Sequence, residues 1–332
     1  MKSSFLFLYF FIVFCNVSCH NQINKNMQEQ KNALLCDPEI GLCINPMDTL
    51  KNETSTTVES IAKPIKIIYY TDPICSSCWG IEAQLRKLKL EYGKHFEIEY
   101  KMGGLLPDWS YNSGGISKPS DVAHHWDEVS VYYDMPIDGD IWLEDPLPSS
   151  YPPSIAFKAA QLQDEKKAIL FLREIREMVF LEKKNIAKWE QIEVAAKLVE
   201  LNVVQLKTDY EGRAKEIFNA DLQKGKELGV RGFPCLFFMN QTGEREIVYG
   251  TKPYDAYENA IKKLLPSVIK EQYSKDWNAV FSTYNSLTAK EFSVLTETNR
   301  NDAEKVLNEL TSQNKLNKFN TKNGAIWTLS KQ

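Results

Sequence analysis

Two cysteines three positions apart, Cys75-Ser76-Ser77-Cys78, stand directly between a strand-forming run and a helical pattern, and no other feature restricts the fold as tightly. Before them, Lys66-Ile67-Ile68-Tyr69-Tyr70 has the β-branched and aromatic character of a buried strand. After them, Ile81, Leu85 and Leu88 recur at helical spacing up to Gly93, and residues 96–100 alternate as a second strand. The order is strand, CxxC, helix, strand. At the first turn of a helix such a pair can close a disulfide. The unpaired N–H groups and positive dipole end there stabilise a thiolate on the first cysteine. Cys75 is therefore the expected nucleophile toward a client disulfide, and Cys78 the thiol that resolves the mixed disulfide. Half a zinc site is the rival reading. Zinc needs four ligands, and no second CxxC or suitably spaced His pair accompanies this one; His124 and His125 are adjacent rather than one turn apart. Neither a metal nor a bound cofactor is expected.

The rest of the chain divides around this unit. Residues 119–229 are helical by pattern, with a Pro at 119 that a first turn tolerates, an Ala/Leu/Lys/Glu-rich stretch at 154–181, and further helices at 188–201 and 213–228. Gly232-Phe233-Pro234-Cys235 then opens a strand to 239, a turn falls at 240–243, a strand covers 244–249 and a helix 253–265. A Pro opening an apolar strand cannot donate to the ladder and indicates a turn, an edge or a cis bond. Cys235 suits a buried strand residue better than a third redox thiol.

Residues 275–332 form a last unit. Thr288 with Glu291, and Asn301 with Glu304, have capping-box spacing, and Asn323-Gly324 is a tight-hairpin dipeptide between two short strands. Two helices and a hairpin describe a winged-helix-like α+β module. The whole chain has a formal net charge of −4, and no segment is basic enough to argue for nucleic acid. A protein-contact or packing role fits better.

Residues 1–19 combine Lys2, an apolar run from Phe5 to Phe14 and a small residue before Cys19. The run is too short to span a bilayer, which takes about 20 apolar residues. It suits a secretory signal peptide, with Cys19 a lipidation candidate and an extracytoplasmic, membrane-tethered protein as the outcome. Translation from Met27 would instead give a cytoplasmic chain. Residues 20–63 read as an N-terminal segment and linker containing Cys36 and Cys43. That pair brackets a turn-rich loop. It is a candidate secondary disulfide worth about 2–3 kcal/mol, or a second redox pair relaying electrons to the CxxC.

With these residues in hand, the order CxxC, helical insertion, Val230-Arg231-Gly232-Phe233-Pro234 resembles the DsbA-like superfamily over residues 64–266. The resemblance implies an α/β thioredoxin-like fold with a helical insertion at about 105–229. It also implies Cys75 as nucleophile, Cys78 as resolving thiol and Pro234 as a cis-proline facing them. Phe233 and Trp79 are the expected client contacts, with Trp79 equally open to a place in the core. Asp72-Pro73-Ile74-Cys75 through Glu82 is similar to two branches: FrnE-like oxidoreductases, and the YjbH/SpxH adapters that deliver the regulator Spx to ClpXP. Lys158-Ala159-Ala160-Gln161-Leu162-Gln163 and the stretch 171–176 resemble the adapter branch more closely. Two departures stand out. Tyr69 occupies the place where DsbA proteins often carry a buried carboxylate, and Ser154-Ile155-Ala156-Phe157-Lys158 lacks the pattern of glutathione-using relatives. The expected activity is thiol–disulfide exchange with protein clients and a redox partner; the alternative is a non-enzymatic adapter.

Overall fold

The structure, a computed structural model, describes residues 63–110 and 117–330, together with the backbone of two short strands, β1 (Cys36–Asp37) and β2 (Leu42–Ile44). The signal-peptide stretch 1–19 with Cys19, the alternative start Met27 and the linker at 51–57 lie outside the described residues, as do the side chains of Cys36 and Cys43.

The main sheet is built on β3 (Ile65–Thr71), whose residues are buried except for Lys66 and Ile68. Such near-continuous burial marks a strand covered on both faces. β3 runs parallel to β4 (Phe96–Met102) on one side and antiparallel to β6 (Cys235–Asn240) on the other. β7 (Arg245–Tyr249) completes the order β4–β3–β6–β7. The chain leaves β3 through the CxxC turn into α1 (Ser76–Gly80) and α2 (Glu82–Tyr92), and α10 (Tyr254–Leu264) follows β7.

Among the described residues seven helices lie between β4 and the two-residue strand β5 (Gly232–Phe233): α3 (Pro119–Tyr133), α4 (Ile141–Glu144), α5 (Tyr151–Gln163), α6 (Glu165–Phe180), α7 (Trp189–Leu198), α8 (Val203–Glu211) and α9 (Arg213–Glu227). The helical stretch anticipated at 154–181 is two helices. Asp164 breaks it with extended backbone and starts α6 afresh, accepting hydrogen bonds from Lys166 N (2.8 Å) and Lys167 N (3.0 Å). α8 falls inside the helical block without being delimited in it, because its apolar stripe is short: Leu206 is buried, with Val203 and Tyr210 packed beside it against the core.

The C-terminal unit comprises α11 (Trp277–Thr283), β8 (Ser286–Thr288), α12 (Ala289–Thr296), α13 (Arg300–Ser312), β9 (Leu316–Thr321) and β10 (Gly324–Leu329), with strand order β8–β10–β9. Phe281, Leu287, Phe292, Leu295, Leu307 and Trp327 give it a small core of its own. The Thr288–Glu291 capping box forms. The next helix is capped by Asn299, whose side chain accepts from Asp302 N at 2.9 Å, rather than by Asn301. In the hairpin Gly324 already pairs with Thr321, so Lys322 and Asn323 make the loop and the dipeptide sits one position later than its usual use.

This unit is clamped to the rest by buried charge. Glu291 is 0% exposed and accepts two hydrogen bonds from Arg173 of α6, at 2.8 and 3.0 Å. Arg86 of α2 lies 3.3 Å from the same carboxylate and donates to Ser286 O at 2.7 Å. At the other end Asn323 donates to Asp127 (2.7 Å) and to Ile137 O (2.8 Å) in the helical insertion.

Candidate active site

Cys75 ends the extended backbone after β3 and is the N-cap of α1, its Sγ accepting from Cys78 N at 3.1 Å. Both thiols are free and 0% exposed. Burial raises Cys75 well above the ordinary thiol value, and its hydrogen bond with Cys78 adds to this. Burial opposes ionisation of Cys78 too. There the hydrogen bond from Cys75, the Arg176 charge and the hydroxyls of Thr71 and Tyr69 outweigh it and lower the pKa. In this closed arrangement ionisation is opposed at Cys75 and favoured at Cys78. A five-residue helix offers Cys75 little dipole, whereas a full guanidinium faces Cys78.

Arg176 is the residue that sequence reasoning missed. It is 1% exposed, reaches from α6 and donates to Glu82 Oε1 and Thr71 Oγ1, both at 2.5 Å, and to Asp72 O at 3.3 Å. Its only signal in the sequence was its place at the end of the adapter-like stretch 171–176. Asp72, three residues before Cys75, was quoted in the motif without a role. Its carboxylate accepts from Ile74 N (3.0 Å), Leu105 N (2.8 Å) and Ser150 Oγ (2.8 Å), tying the CxxC turn to the loop after β4 and to the start of α5. Burial nonetheless pushes its pKa up to about 6. Tyr69 is fully buried at the position where DsbA proteins often carry a carboxylate.

The side chains of the two expected client contacts are both buried. Trp79 is fully buried: its Nε1 donates to Pro136 O (3.1 Å), its ring stacks on Phe180 at 5.5 Å, and the Arg173 guanidinium lies 4.3 Å above it. It is core, not client surface. The Phe233 side chain is also buried and lies against Gly103, where an added Cβ would fall 1.8 Å from the ring. Only the Phe233 backbone remains for strand pairing. The Phe233–Pro234 bond is cis. Because Cys235 pairs with Tyr70, Pro234 stands at the level where β3 runs into the CxxC turn.

The edge on which a client strand would add is already occupied. β2 pairs antiparallel with β5, Cys43 opposite Phe233 and Ile44 opposite Gly232, and β2 lies against α1. Its partner β1 places Cys36 directly opposite Cys43.

The remaining candidates are structural. Cys235 is buried on β6 and its thiol is pushed up to about 12 by burial and by the neighbouring Cys78. Of the α3 pair, His124 is exposed with Nε2 3.0 Å from Glu128, while His125 and Trp126 turn inward. Lys158 is buried, 2.8 Å from Asp221, and donates to Tyr100 O at 3.1 Å. Among the described residues no group of three His, Cys, Asp or Glu stands in a metal-binding arrangement, and no helix is long and apolar enough to cross a membrane.

The comparisons agree with this architecture. A thioredoxin family model matches residues 69–259. A curated relative from Halalkalibacterium halodurans, ClpXP adapter protein SpxH, is 32% identical over 307 residues, covering 91% of this chain and 99% of the relative. The protein of the same name from Bacillus subtilis is 28% identical, covering 80% of this chain and 89% of its own. The crystal structure of a protein disulfide isomerase candidate from Nitrosomonas europaea superposes with a TM-score of 0.52 at 20% identity, covering 62% of this chain and 97% of its own, a likeness of fold. With a family model over more than half its length and a near-full-length relative above 30% identity, the chain belongs to the thioredoxin family and to the family of its SpxH relatives.

Proposed function

We propose that this chain is a protein-binding adapter of the kind its curated relatives are named for, bringing a regulator such as Spx to ClpXP. The observation that carries this reading is the complete burial of Cys75. A thiol–disulfide oxidoreductase needs its first sulfur reachable by a client disulfide and ionised at working pH; here that sulfur is covered and its pKa raised. The C-terminal unit supports the same reading. Buried ion pairs at Glu291 hold it against α2 and α6, which suits a fixed composite surface rather than a loosely tethered module. The full-length match to SpxH relatives adds weight.

On this reading the working compartment is the cytoplasm, and translation from Met27 is the form of the N-terminus that fits. Export with a lipid on Cys19 belongs to the oxidoreductase reading. That second reading keeps one observation of its own, the free Cys75–Cys78 pair at a helix start beside a cis-proline.

Insulin reduction and oxidative refolding of a model protein, run on wild type and Cys75→Ser, separate the two. The adapter reading expects turnover no greater than with the Cys75→Ser protein. Turnover in either assay that disappears in Cys75→Ser would make the chain an enzyme.

A further inference from the structure

The backbone places a second cysteine pair beside the first. Cys36 and Cys43 are directly opposed on adjacent antiparallel strands. Such partners have Cα atoms about 4.5–5.5 Å apart, inside the range a disulfide spans. Cys43 is at the same time in register with Phe233. The next residue is Pro234, at the level of the CxxC turn, and β2 lies against α1, whose N-cap is Cys75. The hairpin thus sits where an added strand would bring a client disulfide to a thioredoxin-type pair, and Cys75 has no solvent exposure beneath it.

From this juxtaposition of Cys36 and Cys43, opposed on a hairpin that is itself in register with Phe233, we infer that the hairpin is the resident substrate of the CxxC: a Cys36–Cys43 disulfide exchanges with Cys75 and Cys78 within one chain. The step balances without an outside reagent. As the Cys75 sulfur attacks one sulfur of the Cys36–Cys43 bond, that bond breaks, the Cys75 mixed disulfide forms and the Cys75 proton passes to the departing hairpin sulfur. The Cys78 sulfur then attacks Cys75, its proton passing to the second hairpin sulfur as the Cys75–Cys78 disulfide closes. Two electrons and two protons move from the CxxC to the hairpin, and the reverse sequence returns them. This inference rests on the CxxC being competent for exchange with the hairpin that covers it, whereas the adapter reading concerns clients from outside the chain.

The test is trapping in the full chain. Cys78→Ser protein lacks the resolving thiol, so exchange stops at the mixed disulfide. The protein is equilibrated with oxidised glutathione, its free thiols are blocked with N-ethylmaleimide, and its disulfide-linked peptides are mapped by mass spectrometry. The expected result is Cys75 joined to Cys43 or Cys36 in most molecules, with a yield unchanged on tenfold dilution. Cys36 joined to Cys43 with Cys75 blocked, or joined to glutathione, overturns the inference. A second measurement avoids altering the buried pair. Reduced wild-type protein receives one equivalent of diamide, and its single disulfide is located at intervals after acid quenching. Transfer between the pairs at a rate independent of protein concentration is expected; a disulfide that stays throughout where it first formed contradicts it.

Discussion

Removal of the Glu291 carboxylate tests how the C-terminal unit is held. Glu291 serves two structures at once. As the third residue of α12 its Oε2 accepts from Thr288 N at 2.8 Å while its own N–H donates to Thr288 Oγ1 at 3.2 Å. Across the interface it takes both Arg173 hydrogen bonds and faces Arg86. Deleting one partner of a buried ion pair costs about 3–5 kcal/mol. Arg173 keeps Glu177 at 2.5 Å and Arg86 keeps Ser286 O, so the low end applies. Loss of the capping box adds about 1 kcal/mol. Glu291→Ala should therefore destabilise by about 4 kcal/mol in urea titrations at pH 7, with faster amide exchange across α12 and β8 than in the main sheet. Glu291→Gln, which can keep the cap, should lose about 3 kcal/mol by the same ion-pair argument. The pH dependence has a definite sign. Burial opposes ionisation of Glu291, but the Arg173 and Arg86 charges outweigh it and hold its pKa below the ordinary 4.5. The unfolded chain then takes up the proton more readily, so this stability is complete above about pH 4.5 and fades as pH falls through the folded value. A loss below about 1 kcal/mol at pH 7, with unchanged exchange in α12, would refute the clamp.

Asp72 titrates with the opposite sign. Its folded pKa of about 6 lies above the ordinary 3.8, so its contribution is present at low pH and is lost as pH rises through about 6. At about 1.4 kcal/mol per unit, Asp72→Asn should gain about 2.4 kcal/mol relative to wild type between pH 4 and pH 7.5 in urea titrations, and parallel wild-type and variant curves would contradict this. Gly103→Ala drives a Cβ to within 1.8 Å of the Phe233 ring; overpacking of this kind costs about 1–3 kcal/mol, read as a lowered urea midpoint. Arg176→Met removes the guanidinium beside Cys78 and should raise the pH at which thiolate absorbance appears, with an unchanged titration counting against the assigned charge.

What was legible in the sequence was local. β3, the CxxC turn and β4 follow from apolar alternation and helical spacing within about forty residues, and the thioredoxin order could be read from them. The Thr288–Glu291 cap was legible for the same reason: both halves of the signal lie within one turn. The second cap was misplaced because Asn299 and Asn301 offer the same chemistry two residues apart, and packing chooses between them. Asp164 shows the converse, a strong N-cap residue overlooked inside a helix-forming composition. The thiol electrostatics were not legible at all. They depend on Arg176, about a hundred residues from Cys78 along the chain, and on burial that only the assembled fold supplies. The same holds for Trp79 and Phe233, whose places beside the motif suggested a surface but whose rings are consumed by Phe180 and Gly103.

The most direct test of the central claim is a reconstituted degradation assay. Spx is incubated with ClpXP, with and without this chain, and its loss is followed for wild type and for the Cys75→Ser/Cys78→Ser double variant. The account predicts faster loss with wild type, retained by the double variant, and no binding or acceleration by Glu291→Ala once its C-terminal unit is released. Degradation unchanged by wild-type protein, from folded and monodisperse material, would contradict the adapter reading.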